Sequence, residues 1–330
     1  MLSTVAIDIS ENNLRNRGRV LEILLKDRTT GRNIFWATDS YVRLGKDFAP
    51  GKRIKHDQIT GVNGKLIQPR AAKPREEQLA RTKDKAEVFT PLKIVKEMNI
   101  AVDWSSKNFP ATSENWVDYI SELRLEITCG EAPFIAGRYN PTANTGAIIT
   151  PKNRVGFLDR KLQVVGEFCK TKKDWLQHAG IALKSSYGYE WQGDNLLIAR
   201  ENILLTMNDF YQDFCENKLK LKSKTKLTTE QLESFAEIIS WNIWQMDGIK
   251  CVIPMSCKST IQPSVSVDKN QLGMPFLNEQ KPKKVEVECE GCRIGDRAKH
   301  TGRYSKIMDW RKGRRVRFLE LMRKEGYDEN

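Results

Sequence analysis

The chain has 330 residues, 39% of them hydrophobic and 8% aromatic, with a formal net charge of +13 and a pI near 9.3. That composition allows one sizeable core plus a smaller appended unit, excludes wholesale disorder, and fits a nucleic-acid partner such as double-stranded DNA. No run approaches about 18 uninterrupted apolar residues, so neither a membrane span nor a membrane partner is expected. The opening MLSTVAIDISENN lacks a basic and an apolar region of signal-peptide type. Seven irregularly spaced cysteines suit a cytoplasmic, reducing setting, with free thiols or one metal site.

Residues 1–65 read as a small β-rich N-terminal domain, because RVLEILLKDRTTGRNIFWAT alternates around the turn-forming segment Thr29–Asn33. Residues 66–86 are polar and charged, which indicates a linker or a basic helix lying on a neighbour. From residue 87 to the end the pattern is that of a second, larger domain. Glu114–Leu125 suggests a helix leading into a strand at EITCG. Residues 173–214 carry helical spacing over two long stretches. The Lys-rich stretch 218–231 reads as a surface loop whose TTEQ end begins a helix. Residues 235–254 read as a helix running into a buried strand, 258–286 as loop, and the C-terminal YSKIMDWRKGRRVRFLELMRK as a strand followed by a basic helix.

Two segments carry the chemistry: AEVFTP at 86–91 and EITCGEAPFI at 126–135. A nucleoside with a charged amino-acid tail needs a tight strand-to-helix turn for close backbone approach and an acid for the ribose hydroxyls. In order and spacing the two segments resemble the cofactor half of the amino-type, adenine-N6 DNA methyltransferases of restriction-modification systems. The resemblance covers roughly residues 80–310. It implies an α/β fold, a Rossmann-like class I methyltransferase sheet, with S-adenosyl-L-methionine as cofactor. On the family's first motif, D-P-A-C-G-S-G-x-F, Glu126 takes the acidic position, Cys129 and Gly130 match, Thr128 precedes them, and Phe134 takes the aromatic position. Ala132 stands at the second glycine. In AEVFTP, Phe89 would give an apolar wall, Thr90 a polar contact, and Pro91 a fixed turn into the next helix.

The resemblance offers three acids for the ribose. Asp247, at the end of SWNIWQMDG, is favoured slightly. Glu190 in YGYEWQGDN is the second, and Asp159 in RVGFLDRKL the third. KIMDW matches the family's third motif by position, which suggests Asp309 as the adenine-ring contact with Trp310 beside it. The family's catalytic motif, Asn-Pro-Pro-aromatic, is absent from all 330 residues, and Asn140-Pro141 lacks the second proline and the ring. Adenine amines are methylated after the base is extruded, and positioning that poor nucleophile supplies most of the catalysis. No catalytic residue is therefore expected in this chain, which reads as the cofactor-binding subunit of a split enzyme. A second chain would carry the missing tetrapeptide. The competing expectation is an inactive methyltransferase-fold subunit that binds DNA or regulates a restriction or phage-defence system.

Two further patterns stand outside that resemblance. Cys289 and Cys292 form a C-x-x-C knuckle with His300 eight residues on, and Cys257 or Cys251 would complete a structural zinc site within 251–300. Arg311, Lys312, Arg314 and Arg315 form a basic cluster suited to DNA phosphates, and Lys218–Lys226 a second one. Trp241, Trp244 and Trp310 read as core.

Overall fold

The computed structural model describes residues 17–85, 87–143, 147–222, 225–264 and 283–324. The run VLEILL is apolar on every side except at Glu22, and Val20–Leu25 forms a helix (α1) with those apolar side chains buried. Lys26–Asp27 (β1) pairs antiparallel with Arg32–Asn33 (β2). The Asp27 carboxylate closes the turn between them by accepting the N–H groups of Thr29 and Thr30 at 3.1 Å each. Between residues 34 and 72 come five short 3-10 turns and an isolated bridge, Phe35 to Arg53. Among the described residues of the unit expected to be β-rich, the hairpin is only two residues a side, and its first arm is mostly helix. A run that is apolar all round buries as well in a helix as in a strand.

Arg75–Lys85 (α2) is the basic helix on a neighbour rather than a linker, since Arg81 is buried and pairs with Glu87 at 2.7 Å and Asp194 at 2.9 Å. Leu92–Trp104 (α3) starts at Pro91, whose carbonyl accepts from Ile94 and Val95. Trp116–Ile120 (α4) leads into Arg124–Glu126 (β3); the helix is shorter than the expected Glu114–Leu125, and the strand ends where EITCG begins, so Ile127–Gly130 form a turn instead of the expected strand. Phe157–Phe168 (α5) and Lys172–Lys184 (α6) cross to Ser186–Glu190 (β4). Gly193–Asp213 (α7) and Thr229–Asn242 (α8) cross to Ile243–Gln245 (β5). A strand therefore interrupts the region 173–214 that helical spacing alone joined. Thr228 caps α8, its hydroxyl accepting from Gln231 N at 3.3 Å while Gln231 returns to Thr228 N at 2.9 Å.

β3, β4 and β5 form a parallel three-stranded sheet in that order, with Glu126 opposite Gly188 and Glu190 opposite Gln245. The molecule is mixed α/β, compatible with a Rossmann-like arrangement. Every residue of β4 is buried. Ser186, Gly188 and Glu190 face the helices and the loop after β3, and Tyr187 and Tyr189 face the other way. On the helical side one continuous core joins Leu24, Ile34, Trp36, Ile54 and Ile67 to Ile198, Leu204, Ile239 and Ile243. Apolar side chains between Val20 and Ile59 thus belong to the same core as α7 and α8. Arg200 on α7 locks the layers: it donates to Ile243 O at 2.7 Å, Lys26 O at 3.0 Å and Ser240 O at 3.3 Å.

Thr260–Ser264 (β6) and Lys283–Val287 (β7) form an antiparallel arm in the region read as loop, followed by Glu290–Ile294 (α9). Lys306–Asp309 (β8) pairs antiparallel with Arg314–Arg317 (β9), and Phe318–Lys324 (α10) follows. This hairpin packs Ile307 and Val316 against Tyr187, Tyr189, Trp244 and Met246 on the second face of the sheet. Trp241 and Trp244 are buried, and Trp310 is partly so.

Candidate functional site

A cavity of about 890 Å³ opens at the carboxyl ends of β3 and β4. Three segments far apart in sequence meet there: Glu87–Thr90, the loop Glu126–Phe134, and Glu190–Asn195 at the start of α7. Crevices at the carboxyl ends of parallel strands are where open α/β sheets bind ligands. Of the residues expected at the site, Phe89, Thr90, Glu126, Thr128, Cys129, Gly130, Phe134 and Glu190 line this cavity. Pro91 lies just behind it, setting the start of α3.

The loop owes its shape to left-handed backbone at alternate residues, with φ of +46° at Thr128, +54° at Gly130 and +62° at Ala132. Gly130 is required twice over, because a Cβ there would also lie 3.1 Å from Cε1 of Phe89. Ala132 adopts a conformation that favours glycine. Glu126 is spent on the loop itself: its carboxylate accepts Phe134 N at 3.3 Å and Ile135 N at 3.1 Å. Burial, and then the nearby Glu190, push its pKa well above the usual carboxylate range. Asn202 donates to Glu131 O at 3.3 Å and Ala136 O at 3.1 Å, and Asn99 to Phe134 O at 3.1 Å, so two amides brace the loop from behind.

Glu190 bridges the two halves of the cavity. It accepts Gly130 N at 2.8 Å and Gln192 N at 3.1 Å. Burial pushes its pKa up to about 7 against the pull of those donors. Behind it Arg81, Glu87, Asp194 and Tyr41 form a buried network, with Tyr41 Oη donating to Asp194 at 2.9 Å and Asn195 to Glu87 at 3.3 Å. Sequence reasoning missed Gln192, Asn195, Met98 and Val102 as lining residues. The first two follow Glu190 so closely that the G-x-E strand reading was the available signal. The α3 pair had none.

The other sequence expectations separate from this cavity. Asp247, favoured for the ribose, does not line it. Just past β5 its backbone bridges to Val252, and its carboxylate accepts Ile249 N and Lys250 N at 3.0 Å each. It lies instead beside a smaller cavity of about 310 Å³ with Cys257, Cys289 and Cys292. Asp159 caps α5, accepting Gly137 N at 2.7 Å and Gly156 N at 2.9 Å, with burial raising its pKa to about 6. Asp309 and Trp310 do not line the main cavity either: Asp309 accepts Lys312 N at 3.1 Å, and Trp310 donates to Asn242 at 2.6 Å. They lie apart from it because β8 pairs with β9 instead of extending the parallel sheet.

Cys257, Cys289, Cys292 and His300 converge, their ligand atoms all within 4.8 Å of one another. Cys251 does not join them; it is buried with its thiol 3.7 Å from Met322 Sδ. Arg311, Lys312, Arg314 and Arg315 are exposed around the β8–β9 turn. Arg311 donates to Ser121 O at 3.0 Å, and the Arg315 guanidinium lies 5.1 Å from the Trp241 ring. No helix among the described residues is long and apolar enough to cross a membrane. Compared with known proteins, the chain matches no family model, no curated protein and no solved structure.

Proposed function

We propose that this chain is the S-adenosyl-L-methionine-binding subunit of a two-chain, site-specific DNA adenine-N6 methyltransferase. A partner chain carries Asn-Pro-Pro-aromatic, and the pair acts in restriction-modification or phage self-protection in the cytoplasm. One observation carries the reading: Glu87–Thr90 and the loop Glu126–Phe134, from the two segments picked out by motif order, border one cavity, together with a buried acid at the end of the neighbouring parallel strand.

The residues present suit such a cofactor. The cavity volume falls in the range of small-molecule sites, roughly 300–1,000 Å³, where apolar walls surround a few placed polar groups. Phe89, Met98, Val102 and Phe134 supply walls, and Thr90, Glu190, Gln192 and Asn195 supply polar groups. Bound there, the cofactor would bring a sulfonium methyl group. This chain's part is to hold and orient it. Glu190 takes the ribose role in preference to Asp247, because it lines the cavity and Asp247 does not. Phe89, packed on Gly130, fixes the loop over the methionine end. Lys312 and Arg314, exposed on the β8–β9 turn, meet DNA phosphates, so replacing both by Ala should flatten the salt dependence of DNA binding by the pair.

The test is calorimetric titration of S-adenosylmethionine into the chain, alone and with its Asn-Pro-Pro-containing partner. Micromolar binding is expected, weakened at least about tenfold by Glu190→Gln and unchanged by Asp247→Asn. No binding, even with the partner present, would sink the reading and leave a DNA-binding or regulatory subunit.

A further inference from the structure

The arm β6–β7 begins and ends at the same place. β6 starts at Thr260, just after Cys257, and β7 ends at Val287, just before Cys289. There the three thiols of Cys257, Cys289 and Cys292 stand 3.7, 3.6 and 3.6 Å from one atom, Nδ1 of His300. A single ring nitrogen has one lone pair or one proton to offer, so hydrogen bonding accounts for one such contact and not three. A shared centre accounts for all of them. With Zn–S near 2.3 Å and Zn–N near 2.0 Å, a tetrahedral ion separates sulfur from nitrogen by roughly 3.5 Å.

The surroundings are arranged for that centre. Gly291, inside the C-x-x-C turn, leaves the room the histidine needs: a Cβ there would lie 2.8 Å from His300 Nδ1 and 2.7 Å from Asp296 O. Thr301 N donates to the Cys289 sulfur at 3.2 Å, and Lys250 Nζ lies 3.4 Å from the Cys292 sulfur. Three thiolates around a divalent ion carry one net negative charge, which the Lys250 ammonium offsets. Partners of this kind orient and tune metal ligands.

We propose that Cys257, Cys289, Cys292 and His300 hold one zinc ion. Four protein ligands leave no open position, so the ion is structural. It ties the base of the β6–β7 arm to the Asp247–Lys250 turn that follows β5. This inference stands independently of the cofactor reading.

The experiment is elemental analysis of the full chain, purified without a metal-affinity tag from zinc-supplemented culture. About one zinc per chain is expected. Cys292→Ser and His300→Ala should each lose most of it, and Cys215→Ser, altering a buried free cysteine elsewhere, should keep it. Zinc-free wild-type protein, or cluster variants that retain the full complement, would overturn the proposal. Should the variants fail to fold, cobalt titration of chelator-stripped wild-type chain decides. A tetrahedral, thiolate charge-transfer spectrum saturating at one equivalent supports the site, and its absence refutes it.

Discussion

At Glu190, burial works against two backbone donors, and burial prevails. The folded state holds a proton up to about pH 7, whereas the unfolded chain releases it near the ordinary glutamate value of 4.5. The stabilisation from that proton is complete below the unfolded value and disappears as pH rises through about 7, an effect of roughly 3 kcal/mol at most. Urea unfolding at pH 5 and pH 8 should therefore show wild-type protein losing stability that Glu190→Gln retains; equal losses in both would remove Glu190 as the source. Cofactor binding should run the other way and weaken below about pH 7, because only the carboxylate accepts two hydroxyl donors. At Gly130, substitution by Ala meets both a φ of +54° and the Phe89 ring. A loss of about 1–2 kcal/mol is expected, seen as a lower melting temperature together with weaker cofactor binding. Ala132→Gly at φ +62° should cost much less, since relief of backbone strain opposes the entropy gained by the unfolded chain.

Among the elements, the loop after β3 and the segment before α3 were legible because their residue types are dictated by close backbone approach, and each reads locally. Glu190 was also within reach, since Gly188 marks β4 as the strand pressed on that loop, where a Cβ would lie 2.9 Å from Ile135 Cδ1 and 3.3 Å from Cys129 Sγ. That Asp247 lies away from the cavity was not legible, because an acid after an apolar strand looks the same whether the chain continues into the cavity or turns back, and only tertiary pairing with Val252 decides. The place of KIMD was hidden for a related reason: four residues of strand do not encode a partner. The segment VLEILL could not be settled by periodicity, being apolar at nearly every position. What joins these elements is Arg200, fully buried, with its pKa lowered by burial to about 9. Replacing it by Met strands the carbonyls of Lys26, Ser240 and Ile243. A destabilisation of about 3–5 kcal/mol is expected, measurable by chemical denaturation, and a loss under 1 kcal/mol would show that α1 is held by packing alone.

For the whole molecule, the shared core means that the N-terminal 65 residues cannot be removed as a unit. A chain beginning at residue 66 loses Leu24, Trp36 and Ile54 from the core around α7 and α8, so it should retain far-ultraviolet but not near-ultraviolet circular dichroism. β3 has a comparable molecular consequence. Among the described residues it pairs only with β4, and around it Leu123, Leu125 and Ile127 are 59%, 43% and 64% exposed. An unpaired strand edge flanked by exposed apolar side chains is a template for self-association. The net charge of +13 opposes it by mutual repulsion, but that repulsion is screened beyond about 10 Å in 0.1 M salt. The isolated chain should therefore behave as a colloid whose scattering intensity climbs with added sodium chloride, and Leu125→Lys should keep it dispersed.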